Sequence, residues 1–459
     1  MIYVAVTAPM SAHSELQYLE EALRILARGF RDLPGGDGQV QSPRLREVLN
    51  ETALKLQDNF PYPHPLYAGQ MLKPPHPVAR LAYMMALYLN PNNHALDGGR
   101  ASSAMEKEAV ANLAHLFGFE KHLGHLCASG TIANLEALWV ARHVRHRGRV
   151  LASSQAHYTH ARMCEVLQLP FQDLAVDAMG RMDINALEDA LQRGSVSTVV
   201  ATLGTTALGA VDPLHEILKL RERYGFRVHV DAAYGGYFTL VETLDANARN
   251  AFAATGQADS IVVDPHKHGL QPYGCGCILL RDAAEGRFYK HDSPYTYFTS
   301  AELHLGEISL ECSRPGAAAV ALWATQRLLP MVRGGEFARG LTHSHQAARA
   351  LHQHVSEERC YLAGPVPELD IVVWALTARG RAEAGRRTQA VFDAAAQRQL
   401  HLALLRVPGE LAAAWWPALE CDAESVTALR SCLMKAEHRD WLPRIISILD
   451  DAAKEAAGA

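Results

Sequence analysis

Polar side chains follow four short apolar runs of the chain, at the points where buried strands are expected to end. In chain order they are His157, Thr205, Asp231 and Lys267. Ligands of open parallel sheets bind in the crevice beyond the carboxyl ends of the strands. The four side chains are therefore expected to share one crevice, where an imidazole, a hydroxyl, a carboxylate and an amine could act together.

Lys267 and Asp231 suggest the most specific chemistry. A lysine directly after a buried strand is a candidate Schiff-base amine, because desolvation lowers its pKa and frees the nucleophile. Asp231 follows the apolar run 228–230, where a carboxylate is costly unless it meets a positive charge or good donors. The pyridinium nitrogen of pyridoxal 5'-phosphate (PLP) is such a charge. The alternatives are a solvated lysine and an aspartate that caps the next helix.

Two further groups fit an aromatic cofactor that carries a phosphate. The imidazole of His157 could stack on the ring with Ala233 against its other face, and the alternative is a loop histidine with satisfied hydrogen bonds. Ser129-Gly130-Thr131 opens a predicted helix, and helix N-termini bind phosphate through free N–H groups and the helix dipole. The same residues also make an ordinary N-cap.

The order of predicted elements indicates an α/β fold with a mostly parallel central sheet. Between residues 94 and 330 apolar strands alternate with helices, which is typical of a sheet covered on both faces. The predicted strands are 150–153, 173–176, 198–203, 227–230, 260–263 and 276–280. The predicted helices are 130–144, 158–167, 184–192 with Asp183 as its N-cap, and 213–224.

The chain divides into three predicted zones. Residues 1–93 form an N-terminal helical arm, with helices over 15–30, 43–60 and 78–89 broken by proline. Residues 94–330 form the large cofactor-binding domain. Residues 331–459 form a small C-terminal α+β domain around one clear strand, 370–376.

Composition and charge narrow the possible functions. The 459 residues carry 44 Lys+Arg against 49 Asp+Glu, a net charge of −5, without the basic patch that binding to nucleic acid or anionic membranes requires. No apolar run of about 18 residues suggests a membrane span, and residues 1–10 lack a signal-peptide pattern. The eight cysteines include no CxxC pair, so neither a metal site nor a disulfide framework is expected. A reducing, cytoplasmic setting is predicted, with no nucleic-acid or membrane partner.

Longer motifs around these residues resemble the group II PLP-dependent amino acid decarboxylases, which include glutamate, aromatic amino acid, histidine, tyrosine and 2,4-diaminobutyrate decarboxylases. Asp264-Pro265-His266-Lys267 is similar to the lysine motif of that family, and 229–236 (HVDAAYGG) to the segment that carries the pyridine partner. Residues 64–71 (HPLYAGQM), 129–134 (SGTIAN) and 201–206 (ATLGTT) are similar to its substrate-pocket segment, phosphate loop and Thr-bearing strand end.

The resemblance implies a fold, a reaction and a role for each residue. The fold would be PLP-dependent transferase fold type I (aspartate aminotransferase-like), and the protein would be a homodimer with a shared active site. It would convert an L-amino acid to an amine and CO2. Lys267 would form the internal aldimine, Asp231 would pair with the pyridine nitrogen, and His157 would stack on the ring. The other cofactor-binding residues would be Ser129, Gly130, Thr131, Thr205, Ala233 and His266.

The proton for the substrate Cα is expected from a tyrosine in the segment 288–300, either Tyr295 or Tyr297, which could instead pack a dimer interface. Residues 158–160 and 274–277 are closer to the tyrosine or diaminobutyrate branch than to glutamate decarboxylases. Arg314 could meet a carboxylate or phosphate, or form an interface ion pair.

Other functions stay open on the same scaffold. A PLP-dependent carbon–carbon lyase would need extra cationic residues at the mouth of the site, and a decarboxylating aldehyde synthase often lacks the loop tyrosine. An aminotransferase is less favoured, because the lysine motif is of the decarboxylase type. A non-catalytic relative would be expected to lack Lys267 or Asp231, and the chain has both.

Overall fold

A computed structural model describes residues 12–33, 42, 44–290 and 304–458 of the chain. The helices are α1 (Ala12–Arg28), α2 (Leu45–Leu56), α3 (Pro77–Leu87), α4 (Leu96–Leu116), α5 (Gly130–Val144), α6 (Thr159–Val166), α7 (Ile184–Gln192), α8 (Leu214–Tyr224), α9 (Ala246–Ala253), α10 (Gly316–Leu328), α11 (Glu336–Glu357), α12 (Arg381–Gln397), α13 (Gly409–Trp415) and α14 (His438–Gly458). The strands are β1 (Leu123–Cys127), β2 (Arg149–Ser153), β3 (Phe171–Leu174), β4 (Val196–Thr202), β5 (Arg227–Asp231), β6 (Ser260–Val263), β7 (Gly276–Leu280), β8 (Tyr361–Ala363), β9 (Ile371–Leu376), β10 (Ala403–Pro408) and β11 (Ser425–Cys432).

Seven strands form the large sheet, in the order β1-β7-β6-β5-β4-β2-β3. The five strands from β6 to β3 run parallel, and β7 is antiparallel to both of its neighbours, β1 and β6. Strands β5, β6 and β7 are buried along their whole length, as expected where helices cover both faces. The predicted mostly parallel sheet is confirmed, and β1 is a strand that the sequence analysis missed.

The side chains of β4 show how the sheet is covered. Val199 and Ala201 belong to the apolar layer that contains α8, whereas Val200 belongs to the opposite layer, with α5 and α6. Successive side chains of a strand point to opposite faces, so an uninterrupted apolar run fills two cores at once. The carboxyl ends of the parallel strands are thereby held at one edge, between the two helical layers.

The second sheet has four antiparallel strands in the order β10-β11-β9-β8. Helices α11, α12 and α14 pack on it. The predicted α+β character of this region is confirmed, but the prediction of one clear strand over 370–376 was incomplete, since β9 has three companions. The proposed boundaries between residues 93 and 94 and between 330 and 331 stay predictions.

Helix α3 joins the N-terminal region to the helices beside the large sheet. Helix α1 packs on α3, and α3 packs on α10, whereas α2 has no buried residue. In the described ranges no helix is long and apolar enough to span a membrane, and no three His, Cys, Asp or Glu side chains are grouped to hold a metal ion.

Candidate active site

A cavity of about 250 Å³ lies at the carboxyl ends of the parallel strands, in front of the N-terminus of α5. The sequence-predicted residues that line it include Lys267 and His266 after β6, and Asp231 and Ala233 at the end of β5. His157, after β2, and Ser129, Gly130 and Thr131, at the start of α5, complete the predicted set found there. The fold therefore brings together, beyond the strand ends, groups that are up to 138 residues apart in the sequence.

Lys267 faces a buried carboxylate. Its Nζ atom lies 2.9 Å from Oδ2 of Asp264, and its side chain is 22% exposed against 3% for Asp264. The other oxygen of this carboxylate, Oδ1, is buried and has no hydrogen-bond partner among the described residues. Asp264 belongs to the predicted motif but was given no role, and the structure makes it the direct partner of the lysine.

Asp231 is held on the protein side by three donors. Its Oδ2 accepts from Nε2 of His160 at 2.9 Å and from the Asn134 amide at 3.3 Å, and its Oδ1 accepts from the backbone N–H of Ala233 at 3.1 Å. Burial alone would raise the pKa of this carboxyl, but the hydrogen bond and charge of His160, followed by the charge of Lys267, lower it well below its usual range. Asp231 is thus a buried carboxylate that stays ionised.

His157 lies at the cavity with its ring neutral. Burial is the main cause that lowers its pKa, with the charge of Lys267 acting in the same direction and that of Asp231 opposing it. Its Nδ1 accepts from the backbone N–H of Thr159 at 3.3 Å, so the ring proton is on Nε2. An uncharged imidazole fixed at one edge suits stacking on an aromatic ring.

The start of α5 has the composition of an anion site. Ser129 caps the helix, its hydroxyl accepting from the N–H of Ile132 at 3.4 Å, and the Thr131 hydroxyl lies 3.3 Å from that of Thr159. His266, on the same cavity, donates from Nδ1 to the carbonyl of Cys275 at 2.7 Å; burial lowers its pKa, so one ring proton accounts for that bond. Hydroxyls and N–H groups at a helix N-terminus suit a phosphate.

Thr205 lies outside the cavity. Its side chain is fully buried, and its hydroxyl accepts from the N–H of Ala210 at 3.1 Å. The neighbouring Thr206 and Gly204 line the cavity instead. Arg314 forms a buried ion pair with Glu106 at 2.7 Å within the chain, so the structure gives it a partner other than a ligand. Tyr295 and Tyr297 lie outside the described residues.

Sequence reasoning missed several groups at the site. His160, Asn134 and Tyr234 fall inside segments quoted for the resemblance or its departures, yet none was assigned a role. His160 lies on the helix predicted over 158–167, and its closeness in sequence to His157 is the signal that could have drawn attention to it.

The chain also resembles proteins of known family. A family model described as the pyridoxal-dependent decarboxylase conserved domain matches residues 79–363. The chain belongs to this family. The protein is accordingly a PLP-dependent amino acid decarboxylase, a carboxy-lyase, which bears out the predicted activity class and cofactor.

Two relatives by sequence and one solved structure are similar to this decarboxylase. It is 28% identical over 416 residues to the L-tyrosine decarboxylase of Enterococcus faecium, an alignment covering 68% of each protein. It is 31% identical over 282 residues to the probable L-tyrosine/L-aspartate decarboxylase of Methanothrix thermoacetophila, covering 61% of this chain and 70% of that relative. The crystal structure of Oryza sativa TDC with PLP and tryptamine has a TM-score of 0.78 at 17% identity, over 98% of this chain and 99% of that one, which confirms the fold-type prediction.

The cavity of this decarboxylase fits PLP by the chemistry of its walls. A helix N-terminus with two hydroxyls faces it from one side, a lysine amine and its carboxylate from another, and an ionised buried aspartate from a third. A phosphate, an aldehyde and a ring nitrogen need these three kinds of partner. Gly130 adds a steric requirement, since a Cβ atom there would lie 2.6 Å from Oδ2 of Asp264.

Proposed function

We propose that the decarboxylase holds PLP covalently through Lys267 and uses Asp231 to stabilise charge on the cofactor ring while an L-amino acid loses CO2. The observation that carries the proposal is that Lys267 and Asp231 line one cavity. The Lys267 amine is paired with Asp264, and the Asp231 carboxylate is ionised. When bound, PLP supplies an electron-accepting ring for the electron pair that CO2 leaves behind.

The residues of the chain divide the remaining work. Asp231 holds a proton at the ring nitrogen, since its carboxylate is charged and buried. Asp264 pairs with Nζ of Lys267 whenever that amine is free and protonated. His157 and Ala233 orient the ring from its two faces, and Ser129, Gly130 and Thr131 bind the phosphate. Tyr295 or Tyr297 would deliver the proton to Cα.

The anchor can be tested on the purified protein by absorbance and mass spectrometry. We expect a yellow band after addition of PLP, its collapse on borohydride reduction, and a pyridoxyl adduct on the peptide that contains Lys267. The Lys267→Ala variant should give no band, whereas Lys219→Ala, at an exposed lysine paired with Glu216, should behave as the wild type. An adduct on another lysine, or no band at all, would contradict the proposal.

L-Tyrosine and L-aspartate, the substrates in the names of the two relatives, are the first amino acids to test. The assay is release of CO2 with identification of the organic product by mass spectrometry. An amine product is expected. An aldehyde, or carbon–carbon cleavage without CO2, would contradict the proposed reaction and favour one of the alternatives on the same scaffold.

We also propose that the enzyme is a homodimer in which α2 packs against a second copy of the chain. Leu45, Val48, Leu49 and Leu56 share one face of α2 at helical spacing and are 48–64% exposed. A helix of 12 residues is marginal in water without packing of its apolar face. A second copy, whose own α2 presents the same face, is the occupant that the symmetry of homo-oligomers favours.

A charge placed on α2 tests the dimer. Leu49→Glu puts a carboxylate on the apolar face, and Leu54→Glu puts one on the opposite side of the helix, at a leucine that is 65% exposed. We expect Leu49→Glu to shift the mass measured by light scattering from two chains towards one, with loss of activity if the site is shared. Leu54→Glu should stay dimeric. A monomeric wild type would overturn the proposal.

The compartment we propose is the cytoplasm, supported by eight cysteines that are all free thiols. Reducing compartments keep such thiols unpaired. Fractionation of source cells with an antibody against the protein tests this, and recovery outside the cytoplasmic fraction would contradict it.

A further inference from the structure

Behind Asp231 lies a chain of buried polar side chains that reaches away from the cavity. The Asn134 amide, which donates to Oδ2 of Asp231, has its Oδ1 atom 2.7 Å from Nε2 of His229. The other ring nitrogen of His229, Nδ1, lies 2.8 Å from the hydroxyl of Ser260. His229 and Ser260 are paired by the register of β5 and β6, so the sheet itself fixes this contact.

Hydrogen bonds can be donated in only one direction along this row of side chains. A carboxylate only accepts hydrogen bonds, so the Asn134 atom at Asp231 must be the donor nitrogen and its oxygen must face His229. Burial lowers the pKa of His229 to about 3, so this ring is neutral and carries one proton. That proton is on Nε2, since the Asn134 oxygen needs a donor, and Ser260 then donates to Nδ1. Each of the three side chains, Ser260, His229 and Asn134, therefore donates in the direction of Asp231.

His160 approaches the same carboxylate oxygen from α6. Its side chain is completely buried, and its Nε2 lies 2.9 Å from Oδ2 of Asp231. Its Nδ1 is buried and has no hydrogen-bond partner within the described part of the chain. An unsatisfied buried nitrogen costs stability that an apolar side chain of the same shape would not cost. The contact with Asp231 is therefore the interaction that offsets the cost of burying this histidine.

We infer that His160 is a positioning residue for the cofactor: together with the Ser260–His229–Asn134 chain, it holds the Asp231 carboxylate ionised and fixed in orientation for the ring nitrogen of PLP. The inference rests on the proposed role of Asp231. His160 does not line the cavity. Its effect on PLP binding would nevertheless depend on one atom of the cofactor, the ring nitrogen.

The test compares two cofactors in binding to the full chain freed of PLP. One is PLP, and the other is 1-deaza-PLP, in which a carbon replaces the ring nitrogen. We expect His160→Phe, which keeps a ring but loses the donor, to weaken the Kd for PLP about tenfold and to leave the Kd for 1-deaza-PLP within about twofold. His160→Gln, which restores an N–H donor, should recover most of the PLP affinity.

Ser260→Ala provides a second variant, at a residue that does not line the cavity, in case His160→Phe does not fold. It removes the hydroxyl that fixes the tautomer of His229, and we expect a smaller weakening with the same preference for PLP over the analogue. Equal weakening for both cofactors, or unchanged affinity for PLP, would overturn the inference. If instead the wild type forms no borohydride-stable adduct on Lys267, the proposed function fails, and that outcome is read from the wild type alone.

Discussion

Gly130 is the residue at which the cofactor cavity leaves the least room for a side chain. A Cβ atom there would lie 2.6 and 2.8 Å from the two carboxylate oxygens of Asp264, and that carboxylate is paired with Lys267. Gly130→Ala must therefore push either the start of α5 or Asp264 out of place, at a cost of about 1–3 kcal/mol.

We expect Gly130→Ala to weaken the Kd for PLP by about fivefold or more, measured by fluorescence titration of the protein freed of cofactor. Gly194→Ala is the matched control, because the nearest atom to its added Cβ would be an Arg149 nitrogen at 3.6 Å. Its affinity should equal that of the wild type. If both variants bind PLP equally well, the close approach at Gly130 does not shape the site.

The single residues of the site could be predicted where a strand end decides their position. Lys267, Asp231 and His157 follow apolar runs, and the sheet brings them to one edge. Thr205 follows such a run as well, but Gly204 has φ +106°, and the turn directs the Thr205 hydroxyl to a backbone N–H. His160 was missed because its role depends on a hydrogen bond to Asp231, 71 residues away in the sequence. Local sequence patterns do not reveal such a contact.

At the scale of elements, α7 depends on a cap that the sequence predicts correctly. The Asp183 carboxylate accepts from the N–H groups of Asn185 at 2.8 Å and Ala186 at 3.3 Å. We expect Asp183→Ala to lower the free energy of unfolding by about 1 kcal/mol, measured as a lower urea midpoint, with activity unchanged. Asp189→Ala, which removes an exposed ion pair with Arg193 on the same helix, should cost less than half as much. Equal losses would deny the cap its role.

The elements whose ends were predicted are those with an unbroken apolar run or a clear N-cap. Helices α5 and α7 and strands β6 and β7 begin and end where the sequence analysis placed them. Strand β1 (LGHLC) was missed because a glycine and a histidine interrupt a run of five residues. Strand β11 (SVTALRSC) was missed because its alanine, leucine and arginine also favour helix. Its pairing with β9 and β10 decides its conformation, and pairing is not local information.

At the scale of the whole molecule, Asp370 connects the small sheet to the active site. It directly precedes β9, and its Oδ1 accepts from the hydroxyl of Tyr234 at 2.6 Å, while its Oδ2 lies 3.3 Å from Nε2 of His268. Tyr234 lines the cofactor cavity, and His268 follows Lys267. Burial raises the pKa of Asp370 to about 6, although the Tyr234 hydrogen bond and the charges of Lys73 and Arg430 oppose the shift.

This raised pKa makes the contribution of Asp370 to stability depend on pH. The folded protein binds the proton more tightly than the unfolded chain, whose aspartate pKa is about 3.9. The carboxyl therefore costs nothing below about pH 4, and its cost grows as pH rises and is complete above about pH 6. Asp370→Asn removes the titration and keeps the hydrogen bond with Tyr234, because the amide oxygen accepts from the hydroxyl. Oδ2 of Asp370 and Nε2 of His268 form no hydrogen bond among the described residues, so the substitution breaks none there.

We expect the free energy of unfolding of Asp370→Asn, relative to the wild type, to rise by on the order of 2 kcal/mol between pH 4.5 and pH 7, measured by urea unfolding at each pH. Asp393→Asn, at an exposed carboxylate that accepts from Gln389, should show a difference that is flat across the same range. A flat or falling difference for Asp370→Asn would mean that the carboxyl is ionised without cost, so that the two sheets meet at a solvated junction. A rising one would show that the carboxyl is buried away from water at its contact with Tyr234, where the small sheet meets the wall of the cavity.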